Sequence, residues 1–75
     1  MAAGDAILGH VVTFGRVLHE AGLEIGPGRV ADALRALDAV DLERQEDVYF
    51  SLRQTLVSRH DELDLFDRAF SAWFL

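Results

Sequence analysis

Apolar residues recur along this chain at intervals of three and four, the spacing of one face of an α-helix. Nowhere do they alternate over a useful length as a half-buried strand would. Ile7, Val11, Phe14, Leu18 and Ala21 trace the first face, with Leu8, Val12 and Gly15 widening it. Asp5 is placed to cap the start, and Gly22 follows as a left-handed stop. The pattern predicts a first helix over about 5–21. Gly26-Pro27-Gly28 then interrupts the chain. Proline is tolerated in a first helical turn, so a second helix is predicted over 27–39 with Val30, Leu34 and Leu37 inward. Leu23 and Ile25 should anchor the intervening loop. Asp41-Leu42-Glu43-Arg44 forms a polar connection with Leu42 as its anchor. A third helix is predicted over 43–58 on the stripe Val48, Leu52 and Leu56, with Tyr49 and Thr55 alongside. A fourth is predicted over 61–74, capped by Asp61 with Asp64 three residues on. Its inward face is Leu63, Phe66, Phe70 and Trp73, while Leu65 and Phe74 fall off that face.

Four helices joined by short loops predict an all-α fold: a small four-helix bundle, 1–75, with compact antiparallel or orthogonal packing. Seventy-five residues make one small domain at most, with a stability of about 3–5 kcal/mol unless a partner adds contacts. The chain closes on Ala72-Trp73-Phe74-Leu75 with no polar tail. Chain ends are usually solvated, so this end is expected to continue into a longer parent protein or to pack against something.

Charge narrows the partners. Seven arginines, no lysine and 13 acidic residues give a net charge of −6. Such a surface opposes phosphate backbones and anionic lipid, so neither nucleic acid nor membrane is expected as a partner. Arg29 and Arg35 could face DNA from a recognition helix, but Asp32 and Asp38 share that helix. The uncharged stretch 6–15 is far shorter than the roughly 20 residues of a membrane span. The first residues lack the basic start of a signal peptide. Cysteine is absent, which removes disulfides and thiolate chemistry and fits a reducing cytoplasm.

Reactive groups are scattered. His10 and His19 stand nine residues apart, about 900° of helical rotation, and so lie on opposite faces. His60 could join either only through tertiary folding. Glu43, Glu46 and Asp47, and then Asp61, Glu62, Asp64 and Asp67, cluster where helices begin, where negative charge complements the dipole. Asp64 and Arg68 are spaced as an i, i+4 pair. Ser51, Ser58 and Ser71 have no companion base. The glycines around Pro27 lack the spacing and the lysine of a phosphate loop. Arg29 is expected to pair with Asp32 or another nearby acid. The chain is therefore expected to be non-enzymatic, with no catalytic residue, metal or cofactor.

The segments FGRVLHEAGLEIGPGRVADALRALDAVDL and EDVYFSLRQTLVSRHDELDLFDRAF carry a family pattern. Phe14, Arg16, Leu18, Ala21, Gly22, Pro27 and Arg29 match its first tract, and Ala36, Leu37 and Asp41 its second. Tyr49, Leu52, Arg53, Thr55, Leu56, Val57 and Arg59 match a third, and Phe66, Asp67, Ala69 and Phe70 a fourth. In this the chain resembles the N-terminal helical region of CoxE-like proteins containing a von Willebrand factor A domain. The resemblance implies a bacterial, cytoplasmic module working beside a MoxR-type AAA+ ATPase in the maturation or remodelling of client enzymes. Their metal site is a D-x-S-x-S motif in the von Willebrand domain. This chain has no such motif, so no metal ligand carries over. The implied partners are the parent chain's von Willebrand domain, the ATPase or the client enzyme. Tyr49, Arg53, Arg59, Phe66, Phe70, Trp73 and Phe74 are the expected interface or framework residues. The alternative is a self-contained small protein that homodimerises through its C-terminal aromatic helix.

Overall fold

A computed structural model describes the backbone of residues 3–75 and the side chains from residue 9 onward. Four α-helices follow one another: α1 (Ala3–Ala21), α2 (Pro27–Leu37), α3 (Gln45–Leu56) and α4 (Leu63–Phe74), the last entered through a 3-10 turn at His60–Glu62. No strand occurs among the described residues. The backbone is already helical at Ala3, so Asp5 falls inside the first turn of α1 instead of at its cap. The side chains of Asp5, Ile7 and Leu8 lie outside the described residues.

Gly22 ends α1 as its position predicts. Its φ of 117° is the only positive φ among the described residues. The Gly22 amide donates to the His19 carbonyl at 3.1 Å, and the Leu23 amide to that of Leu18 at 3.0 Å. This is the paired closure of a Schellman motif, and Leu18 and Leu23 are both buried beneath it. Ala21, expected inward, is exposed, because the chain turns away beside it.

The other boundaries differ by a residue or two, each for a local reason. α2 stops at Leu37, not 39, because Asp38, Ala39 and Val40 donate to carbonyls three residues back and tighten the last turn. α3 starts at Gln45, not 43, because the Asp41 carboxylate takes the Glu43 amide at 2.9 Å and keeps the connection turned. α3 ends at Leu56, not 58. Val57 is extended, and the Ser58 amide leaves the helix for a side-chain acceptor.

The core gathers Val11, Phe14 and Leu18 of α1, Leu23 of the loop, Ala33 and Leu37 of α2, Val48, Leu52 and Leu56 of α3, and Phe66 and Phe70 of α4. In α2 the buried centre is Ala33, and the expected Val30 and Leu34 are half-buried on its flanks. Small residues set the helix spacing. A methyl group on buried Gly15 would come within 3.1 Å of Val30 Cγ2, so α1 and α2 approach closely there. In α4 the inward row is Phe66, Phe70 and Phe74, spaced by four. Phe74 packs on the core, whereas Trp73, expected inward, is 38% exposed.

Candidate functional site

Aromatic rings from three helices form one cluster. Phe14 of α1 meets Phe66, Phe70 and Phe74 edge-on, with centroids 5.8, 6.3 and 5.2 Å apart. Phe66 and Phe70 stack at 6.1 Å, and Phe70 and Phe74 at 4.8 Å. Tyr49 of α3 closes the cluster against Phe66 at 5.7 Å and Phe70 at 5.1 Å. Its hydroxyl donates to the Asp67 carboxylate. That bond, then burial, then the Asp67 charge hold the phenol proton and raise the pKa above its usual 10.0.

The cluster has an outer edge. Phe50, next to Tyr49 at 5.0 Å, is 56% exposed. With Tyr49, Phe70, Leu75, Gln45 and Glu46 it borders an apolar depression of about 430 Å³. Trp73 faces outward on α4, its ring 6.3 Å from that of His10 on α1. Of the expected interface residues, Phe66 and Phe70 are buried and can act only as framework. Tyr49 and Phe74 are half-buried, with one side available. Arg53 is half-buried beside Tyr49. Arg59 is exposed and held by Asp61 at 2.9 Å and Glu24 at 3.8 Å, away from the aromatic edge.

Phe50 was not among the expected residues, yet its signal is in the sequence. It stands two positions from both Val48 and Leu52, about 160° of rotation from the buried stripe, on the solvent side of α3. A large aromatic residue there serves no core.

A second feature is Glu62, expected only to complement a helix start but in the structure a carboxylate almost wholly buried between two loops. Its Oε2 accepts the Glu24 amide at 3.0 Å. Its Oε1 accepts the Ser58 and Arg59 amides, each at 3.1 Å, and the Ser58 hydroxyl at 3.3 Å. Burial alone would raise its pKa, but the hydrogen bonds from Glu24, Ser58 and Arg59 outweigh that and carry it below the ordinary 4.5. The expected cap, Asp61, is instead paired with Arg59, and Asp64 pairs with Arg68 as its spacing predicts. Arg29 also differs from expectation. It donates to the Thr55 carbonyl at 3.4 Å, tying α2 to the end of α3, while Asp32 is taken by Arg35 at 2.6 Å. Among the described residues no three His, Cys, Asp or Glu side chains gather as a metal site. No described helix is long and apolar enough to cross a membrane.

Compared with known protein families, residues 11–75 match the CoxE N-terminal helical bundle domain. The chain belongs to that family. The match takes in every position, from Phe14 to Phe70, that carries the resemblance in sequence. No curated protein and no solved structure matches the chain. In this CoxE N-terminal bundle, then, the framework is the aromatic cluster together with the Glu62 clasp. The features left over from folding are the outward aromatic residues.

Proposed function

We propose that this CoxE N-terminal bundle is a non-catalytic docking module of a longer CoxE-like protein, and that its α3–α4 aromatic edge receives a MoxR-type AAA+ ATPase. The observation that carries this is the exposure of Phe50 and Trp73 beside a core that is already complete without them. Large apolar side chains held in water on so small a domain are costly to keep, and typically mark protein contact. Aromatic side chains are also the commonest anchors of such contacts. The family's description as an N-terminal bundle supports a place ahead of a further domain. Of the carboxylates clustered where helices begin, Glu62 is held by backbone amides, Asp47, Asp61 and Asp64 by arginines, and Asp67 by the Tyr49 hydroxyl.

The test is titration calorimetry of the chain against the purified ATPase, for the wild type and for Phe50→Ser and Trp73→Ala. Both substitutions are on exposed side chains and should leave the melting temperature within a few degrees. Binding by the wild type, weakened by either substitution, is the expected result. Equal affinity in all three would place the contact elsewhere. Absence of binding by the wild type would reject the ATPase as partner. Light scattering addresses the alternative, a homodimer through α4: a monomer across the concentration range removes it.

A further inference from the structure

A further depression lies elsewhere, between α1 and the start of α2. It is an open groove of about 560 Å³, walled by Val12, Ile25, Pro27 and Val30 and rimmed by Arg16 and His19. None of these side chains belongs to the aromatic edge. Val12 is 44% exposed, so an apolar wall faces water.

Charge distinguishes this groove. The chain carries −6 overall, yet none of the residues lining the groove is acidic. Four of the seven arginines, Arg35, Arg44, Arg59 and Arg68, are engaged by carboxylates. Arg29 is held by a carbonyl, and Arg53 stands beside Tyr49. Arg16 makes no ion pair or side-chain hydrogen bond among the described residues, and neither does His19. The adjoining start of α2 adds to the positive field. Gly26 offers no side-chain cap, and the first turn of α2 contains no acidic residue.

We propose that this groove binds a peptide segment of a protein partner in which apolar side chains alternate with carboxylates. The apolar walls take the hydrocarbon, and Arg16 and His19 at the rim take the acidic groups. A small inorganic anion would leave the walls unused. Nucleic acid and anionic lipid would meet the repulsion of the rest of the surface. Complementary charge at the rim sets register and approach, while burial of the apolar side chains supplies the affinity.

Selection from a phage-displayed random dodecapeptide library against the 75-residue chain tests this, with Arg16→Glu/His19→Glu and Val12→Glu as comparison proteins. Enrichment of sequences combining Leu, Ile or Phe with Asp or Glu is expected. A synthetic peptide of that sequence should shift the amide resonances of Val12, Arg16, His19 and Val30. It should bind either variant about tenfold or more weakly, with melting curves of the exposed-site variants close to wild type. Enrichment of peptides without acidic residues, resonance shifts centred on Phe50 and Leu75, or undiminished binding by both variants would overturn the assignment. Sedimentation with phosphatidylglycerol vesicles but no peptide enrichment would make the groove a lipid site and equally overturn it.

Discussion

Glu62 does the work of several caps at once. Its two oxygens collect three backbone amides and a hydroxyl from the loop after α1 and the loop after α3, groups that would otherwise lie part-buried without acceptors. Replacing it by glutamine turns one acceptor into a donor aimed at an amide. Glu62→Gln should therefore cost about 1–3 kcal/mol, read as a lower urea midpoint at neutral pH. The pH dependence follows from the depressed pKa. The folded state holds the charged carboxylate more favourably than the unfolded chain does. The stabilisation is thus full above the unfolded value near 4.5 and is lost as pH falls through the lower folded value. Urea midpoints measured downward from pH 6 should fall more steeply for the wild type than for the glutamine variant. Parallel curves would mean that the carboxylate is not held as described. Nothing in the residue's own neighbourhood reveals this role, because Asp61, Glu62 and Asp64 look equally suited to begin a helix. The choice among them depends on Glu24, 38 positions away.

The elements themselves were largely legible from spacing. Val48, Leu52 and Leu56 on α3 and Val11, Phe14 and Leu18 on α1 are buried as the three-and-four rhythm requires. The turn at Gly22 was legible too, because only a residue free of Cβ strain closes a Schellman motif at φ 117° without cost. Gly22→Ala should lower stability by about 1–2 kcal/mol, measured by thermal melting followed at the helical circular dichroism band. An unchanged melt would show that the turn relaxes into another closure. On α4, spacing alone misled. Steps of three and of four are both compatible with one helix face, so Trp73 and Phe74 compete for the inward position. The structure gives it to Phe74, because Phe14 and Phe70 supply rings for it at 5.2 and 4.8 Å. α2 shows the converse. Leu37 is buried as expected, but Val30 and Leu34 straddle the contact, and the small Ala33 takes its centre because α2 lies against its neighbours there.

At the scale of the whole molecule, 75 residues carry one core with little redundancy. Phe14 is fully buried and touches the rings of three α4 residues, so it joins the first helix to the last. Phe14→Ala should cost about 3–5 kcal/mol, comparable with the entire stability of a domain this size. The variant should show lost near-ultraviolet dichroism and narrow amide dispersion at 25 °C. A cooperative melt retained close to wild type would show that the aromatic cluster is not what holds α1 to α4. The same economy sharpens the meaning of Phe50 and Val12. A small domain that needs its apolar residues inside nonetheless leaves these two in water, on separate surfaces.

Periodicity and punctuation were enough to determine that this chain is helical, how many helices it has and where the first loop turns, and its motif tracts carried the resemblance to its family. Those properties depend on neighbours within a few positions, where backbone geometry makes the sequence readable. Only the tertiary structure decided which of two adjacent aromatic residues turns inward, which of several carboxylates is buried as a clasp, and where an uncommitted arginine meets an apolar wall. Each of these is settled by residues far apart in the chain, through packing and desolvation that no local pattern encodes.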